Sequence, residues 1–351
     1  MLVNSDTLHL NSKAILLLTP FHRSQRGNSL TSERIQTGLK QMGIDIDLLS
    51  LEDKNWEQTI RHGLATARYS LAHGFHGLHF ARVLEKEPGL YRLPLVLTMT
   101  GTDINLDLAG VDRDLVLQSM RSVQRIILFN QQFEMEIAAA YPEFQPKLLS
   151  IPQGVQLEDS PVISRQELGL QDKDFVFILP SGLRKVKNID LALDALSGLW
   201  SEYKQVRLLI MGAAIEEEYS ANILQRIQDM TWVSYLGEIP HNQVKSYYQL
   251  ADVVLNTSVS EGQPQAALEA MSLSIPAILA AVPGNIGIIE HGIQGFYAGN
   301  SYELLEASRR LILDHKLKKS MGRAAGQLVR LKFQPEAEFS AHAALYQSLL
   351  A

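Results

Sequence analysis

Nearly continuous apolar runs recur through the first part of the chain: AILLLTP at 14–20, DIDLLSL at 45–51, LPLVLTM at 93–99, RIILFN at 125–130 and LLSIPQG at 148–154. A strand that is apolar on both faces is buried on both. Runs of this length, separated by segments of about 10–25 residues, predict a parallel sheet with helices packed on each side. The polar stretch VQLEDSPVISRQELGLQDKD that follows has no sustained period and reads as a connection between domains. A second series then begins with FVFILP (175–180), VRLLIMG (206–212), VSYLGE (233–238), VVLNT (253–257) and PAILAA (276–281). Between these runs, NIDLALDALSGLW and EEEYSANILQRIQDM place apolar residues three and four apart, the spacing of a helix with one buried face. Beyond the last run only helical segments are predicted, ending in EAEFSAHAALYQSLL. The expected architecture is α/β, with two doubly wound parallel-sheet domains in series. The first covers 1–158 and the second 159–334, and the terminal helix 335–351 is expected to pack back on the first.

Composition narrows the function. At 351 residues the chain exceeds the roughly 250–300 at which single cores stop growing, and its 46% hydrophobic content is enough for two. A formal net charge of −6 gives no general attraction to nucleic acid, which is not an expected partner, so an anionic ligand must be held by local cations. The absence of cysteine excludes disulfides, thiolate metal sites and a cysteine nucleophile, and suits a reducing compartment. MLVNSDTLHLNSK lacks the basic-then-apolar order of a signal peptide, and no apolar run approaches the ~18 residues of a membrane span, so the expected location is cytoplasmic. The basic segment HKLKKSMGRAAGQLVRLK (315–332) reads as a solvated helix face; weak peripheral membrane contact through it stays open. Oligomeric state is not legible in the sequence.

In an open α/β sheet ligands bind beyond the carboxyl ends of the strands, so the loops that follow strands carry the chemistry. The first is FHRSQRGNSLTSER, which lacks G-x-G-x-x-G and so disfavours a nicotinamide dinucleotide. Gly27 and Asn28 can adopt positive φ and Ser29 or Thr31 can cap a helix, leaving N–H groups for an anion; an ordinary capped turn explains the stretch as well. After the first strand of the second domain, PSGLRKVKN combines Gly182, which lets the backbone turn, with Arg184, Lys185 and Lys187, cations suited to a diphosphate. SEGQPQAALEAM (260–271) places Glu261 in a loop shaped by Gly262 and Pro264 and Glu269 about a turn and a half down the helix, both pointing to one crevice. Helix-terminal N–H groups favour phosphate while carboxylates accept from sugar hydroxyls, so a ligand carrying both matches the set. Two glutamates on a surface helix are the plain alternative.

EGQPQAALE resembles the E-x7-E signature of retaining nucleotide-sugar glycosyltransferases of the GT-B fold, family four. SIPAILAAVPGNIGIIEHGIQGFYAGN and IPQGVQL are similar to two further segments of that family. RGNSLTSERI, GTDIN, GLRKVKN and PGNIG together resemble two subgroups, the glycosyltransferase-1-domain-containing proteins and the selenosugar synthases. The resemblance implies two Rossmann-like domains facing a cleft. It implies that Glu261 binds the donor sugar and Glu269 the ribose, and that Arg184 and Lys187, or Lys185 in its place, grip the diphosphate. Gly27, Asn28, Gly182, Gly262, Gln263, Pro264, Gln265 and Ala266 would complete the donor site. His79, as a strand-end histidine, would stand near the reactive carbon, while His73 and His76 read as polar surface residues. Thr102 and Asp103 of GTDIN are acceptor-side candidates that a capped turn explains nearly as well.

The expected activity is metal-independent, retaining transfer of a hexosyl group from a nucleoside diphosphate sugar, UDP being the expected nucleotide, to an unidentified small-molecule or glycan acceptor. Cations aimed at the departing diphosphate would replace a metal, and domain closure would exclude water. The D-x-D strings at 45–47, 112–114 and 172–174 invite a metal reading, but D-x-D is a weak pattern, and no cofactor or metal is expected. A nucleotide-sugar epimerase or hydrolase, which needs no acceptor, and a catalytically silent sugar-nucleotide-binding protein are the alternatives.

Overall fold

The computed structural model describes residues 13–21 and 27–351. The chain separates into two compact units, 1–154 with 335–351, and 155–334. The division falls at Gly154, ahead of the expected 158, because Val155 already bonds within the second unit, to the carbonyl of Phe333.

Among the described residues the first unit holds six parallel strands, β1 (Ala14–Thr19), β2 (Ile46–Ser50), β3 (Tyr69–Phe75), β4 (Leu95–Thr98), β5 (Arg125–Leu128) and β6 (Leu148–Ser150), in the order β2-β1-β3-β4-β5-β6. Successive side chains of a strand face opposite ways, and β1 shows why its run is apolar throughout. Leu16 and Leu18 enter a core that includes Phe80, Val116 and Phe133, whereas Ile15 and Leu17 enter the opposite one with Ile35, Leu39, Phe339 and Tyr346. The sequence reading missed β3, because YSLAHGF interleaves Ser, His and Gly with its apolar positions.

The terminal helix Pro335–Leu350 belongs to this unit and closes its second core. Gly38 makes room for it, since a Cβ there would lie 2.3 Å from the Phe339 ring. Glu338, almost fully buried, accepts from Arg34 Nε and Nη2 at 2.9 Å each and from the Gly154 N–H at 2.9 Å. His73 lies between Tyr346 Oη and Thr98 Oγ1, both at 2.7 Å, and His342 Nδ1 donates to the Glu338 carbonyl. His73 is therefore a buried anchor of this helix, not a polar surface residue.

The second unit holds β7 (Phe175–Pro180), β8 (Val206–Met211), β9 (Val233–Tyr235), β10 (Val253–Asn256), β11 (Ala277–Ala280) and β12 (Gly295–Ala298), all parallel, in the order β12-β11-β10-β7-β8-β9. Phe177 and Leu179 of β7 pack on one face with the helix Ile189–Glu202, and Val176 and Ile178 on the other with Gln265–Ser272. β12 overturns the expectation that only helices follow 276–281. GFYA is too short and glycine-led to register as a run, yet it pairs with β11 over four positions.

Strand order locates the functional ends. From β7 the chain winds toward β8, and from β10 toward β11, so adjacent strands β7 and β10 send their connections in opposite directions and leave a crevice at their carboxyl ends. β1 and β3 form the equivalent switch point in the first unit.

Two outcomes follow for the terminal helix. Burial, reinforced by His342, holds the His73 pKa well below its ordinary value, and burial also lowers that of His342. The unfolded chain then binds more protons below its histidine pKa of ~6.5, so stability falls as pH drops from there. Melting temperature against pH should show this slope as pH falls below about 6.5, and His342→Leu should flatten it. Glu338→Ala leaves Arg34 and the Gly154 N–H without their carboxylate and should cost about 3–5 kcal/mol in chemical denaturation.

Candidate active site

The site at the second unit's switch point is made by two loops. After β7, residues 181–188 run to the helix Ile189–Glu202, and Asn188 takes a left-handed φ of 46°. After β10, residues 257–264 lead into Gln265–Ser272, with Pro264 at the N-cap position. The loops are stitched together: Val259 N–H donates to the Val186 carbonyl at 2.9 Å, and Thr257 Oγ1 to the Lys187 carbonyl at 2.9 Å.

That stitching brings Lys187 Nζ to 2.6 Å from Glu261 Oε1, with side-chain exposures of 18% and 11%. The same oxygen accepts from Ser258 Oγ at 2.7 Å and Asn256 Nδ2 at 2.9 Å. Burial pushes the Glu261 carboxyl up, but the Lys187 charge and these hydrogen bonds outweigh it and hold the pKa below the ordinary range. Glu261 is thus an ionised acceptor in a largely dry setting. Arg184, partly buried, stands in the same turn as Lys187, whereas Lys185 is exposed, its backbone N–H donating to Glu216 and its carbonyl accepting from the Asn188 N–H. Of the two lysines, Lys187 is the one brought to Glu261.

Glu269 is the fifth residue of its helix, about one turn in, and is buried. Its Oε1 pairs with His241 Nε2 at 3.0 Å and its Oε2 accepts from Tyr248 Oη at 3.1 Å. Neither glutamate is a surface residue, and each is held by a different set of partners. Gly262, Gln263 and Pro264 are buried and Gln265 and Ala266 half-buried at the helix start, where N–H groups lack helical acceptors. Gln263 Nε2 donates to Gln265 Oε1.

Gly182 corrects one expectation. It has no positive φ, so the backbone there does not call for glycine, and a Cβ would meet the movable tip of Ile215 at 2.6 Å and the Ala213 carbonyl at 3.3 Å. The sequence reading missed Asn256, Ser258, His241, Tyr248 and the backing of Glu261 by PGNIG. Gly284 (φ 89°) has its Cβ position 2.1 Å from the Glu261 carbonyl, an approach only glycine permits.

In the first unit, the helix after β1 begins at Gly27, so Gly27 and Asn28 are helical, and residues 22–26 lie outside the described residues. Ser29 and Thr31 sit inside the helix and do not cap it; Thr31 Oγ1 donates to Gln153 Oε1 at 2.6 Å. The residue at the end of β3 is His76, not His79, which is the third residue of the helix Gly77–Lys86. His76 is buried, not a surface residue, and holds a φ of 71°, a strained value for a side chain with Cβ. Its Nε2 meets Thr102 Oγ1 at 3.0 Å, and its ring lies 4.7 Å from that of His79. Burial, with His76 and Arg82 adding, lowers the His79 pKa to about 4. Asp103 departs from the acceptor-side expectation. Fully buried, it accepts from the N–H groups of Thr100 and Gly101 at 2.9 Å and of Gly77 at 2.8 Å, so it is the capping residue of a turn. Of the D-x-D strings, Asp45 and Asp47 both pair with Arg68.

Residues 163–328, which carry Arg184, Lys187, Glu261 and Glu269, match the family described as Glycosyl transferases group 1. Glycosyltransferase 1 domain-containing protein 1 of Xenopus tropicalis is 26% identical over 344 residues, 93% of this chain and 96% of its own. The N-acetyl-alpha-D-glucosaminyl L-malate synthase of Bacillus anthracis is 24% identical over 271 residues, 74% of this chain and 69% of that one. Among solved structures, Anabaena HepE in complex with UDP and glucose matches with a TM-score of 0.79 at 21% identity, over 96% of this chain and 100% of that one. Sucrose-phosphate synthase from Thermosynechococcus elongatus matches at 0.82 with 17% identity, over 96% and 99%. The two six-stranded parallel units are those of the GT-B fold. The site residues lie inside the segment that matches the glycosyl transferases group 1 family, and the chain is similar to a glycosyltransferase 1 domain-containing protein over almost its whole length.

Proposed function

We propose that this protein transfers a hexosyl group from a UDP-sugar to a small-molecule or glycan acceptor, with retention at the anomeric carbon and without a metal ion. The observation that carries the reading is the Lys187–Glu261 pair at the switch point, with Arg184 in the same turn. Negative charge grows on the diphosphate as the glycosidic bond breaks, and fixed cations aimed at it lower the barrier. Arg184 and Lys187 supply that charge, and Glu261, kept ionised, accepts from the sugar hydroxyls. Solved relatives described in complex with UDP and glucose, and with UDP and GlcNAc, support UDP as the carrier. In the first unit, His76 rather than His79 takes the strand-end role, and Thr102, through its bond to His76, is the acceptor-side residue.

Glu269 supports a ribonucleotide. A carboxylate has about four acceptor positions; His241 and Tyr248 occupy two, and a ribose diol fits the remainder.

A thermal-shift panel of UDP, GDP, ADP and dTDP sugars tests the reading. A UDP-sugar at about a hundred times its Kd should raise the melting temperature by about 5 °C. Arg184→Ala should weaken binding by about 10–100-fold, whereas Glu261→Gln should keep UDP binding and lower kcat by about 10². No nucleotide-dependent shift would overturn the proposal. Donor consumed equally fast without acceptor would make the enzyme a hydrolase or epimerase, and binding without turnover would make it a silent binder. In a separate comparison, the 2′-deoxy analogue of the bound UDP-sugar should bind about 10–100-fold more weakly, since it leaves a buried acceptor of Glu269 unmatched.

A further inference from the structure

The Glu261 carboxylate is the end of a hydrogen-bonded chain that begins in the backbone of β11. Asn285, fully buried, donates from Nδ2 to two oxygens, the Ala280 carbonyl and Asn256 Oδ1, both at 2.9 Å. Asn256 in turn donates from its own Nδ2 to Glu261 Oε1 at 2.9 Å. We infer that Asn285 and Asn256 are positioning residues for Glu261, a relay of two amides whose direction is locked at both ends.

The lock follows from which groups can donate. A backbone carbonyl only accepts, so the Asn285 amide must present its NH2 to Ala280. That NH2 has two hydrogens, and the second goes to Asn256, which must therefore turn its carbonyl inward and its NH2 toward Glu261. An ionised carboxylate also only accepts, so the far end agrees with the near one. Reversing either amide would set oxygen against oxygen with no proton between them, and the buried setting makes such a mismatch expensive. The relay is held rigidly. Tyr297 Oη donates to the Asn285 carbonyl at 2.9 Å, the Asn285 N–H bonds to Val282, and neighbouring Gly284 lies against the Glu261 carbonyl. The connection between β11 and β12 therefore braces both the main chain and the side chain of Glu261.

The inference deepens the proposed function, since Glu261 is there the acceptor for the donor sugar, but its test does not depend on turnover. The full chain is labelled with 13C at glutamate carboxyls, and the Glu261 resonance is assigned by its loss in Glu261→Gln. Without any ligand, Glu261 in the native protein should titrate below the ordinary glutamate range. Asn285→Asp keeps the shape but removes the donors, so Asn256 turns its carbonyl toward Glu261, and the titration should move up by about one pH unit or more. Asn285→Ser, which retains one donor and is the milder variant should the first fold poorly, should move it by less. With UDP-glucose, or whichever UDP-sugar the thermal panel identifies, the acid limb of kcat/KM should shift in the same direction and kcat fall about tenfold or more, while the Kd for UDP stays within about twofold. An unmoved Glu261 titration in either variant, or a loss of UDP affinity equal to the loss in kcat, would overturn the relay. Failure of every sugar nucleotide to bind would overturn the donor reading alone, with the ligand-free titration still deciding the relay.

Discussion

Placing an ammonium and a carboxylate together away from bulk water costs several kcal/mol per ion unless geometry and further hydrogen bonds compensate. Lys187 and Glu261 meet that condition through a backbone designed around them. They come from strands that are neighbours in the sheet but 74 residues apart in the chain, and two cross-loop hydrogen bonds set the gap between their loops before either side chain is considered. Ser258 and Asn256 then distribute the negative charge over several donors. The pair needs the switch point, because only there do two connections part and leave a space that the backbone lines without filling.

The two units use the same topological device with different contents. In the second, the loops bring together groups that are charged at neutral pH. In the first, imidazoles stand at the end of β3, and burial with neighbouring charges keeps His79 neutral far below physiological pH. A neutral imidazole exchanges hydrogen bonds without adding charge, which suits contact with hydroxyls. The positive φ of His76 belongs with this arrangement, since an ordinary backbone there would direct the ring elsewhere.

Much of the fold was legible because parallel strands buried on both faces leave unbroken apolar runs. Where that signal thins the reading failed, at β3, diluted by Ser70, His73 and Gly74, and at β12, four residues led by a glycine. At the site, Glu261, Arg184 and Lys187 were visible as charged residues in loops after strands, and Glu269 as a carboxylate on the helix that follows one of them. Their partners were not, because a single Asn or His in a loop carries no periodicity: Asn285 reaches Asn256 across 29 positions and His241 reaches Glu269 across 28. Ser29 and Thr31 misled because their residue types suit a cap, whereas the helix had already begun at Gly27. Asp103 misled for the opposite reason. Its exposed-sounding context, GTDIN, conceals a carboxylate used wholly by backbone.

The docking of the terminal helix has a consequence for biosynthesis. The second unit is an insertion within the first: residues 155–334 emerge from the ribosome before the segment that seals the Ile15–Leu17–Tyr346 core exists. A nascent chain can complete its later sheet while the earlier one still shows an uncovered apolar face, reversing the usual order in which amino-terminal domains finish first. Chaperone dependence and the hazard of aggregation during synthesis therefore attach to the amino-terminal half, and persist until the last sixteen-residue helix is released.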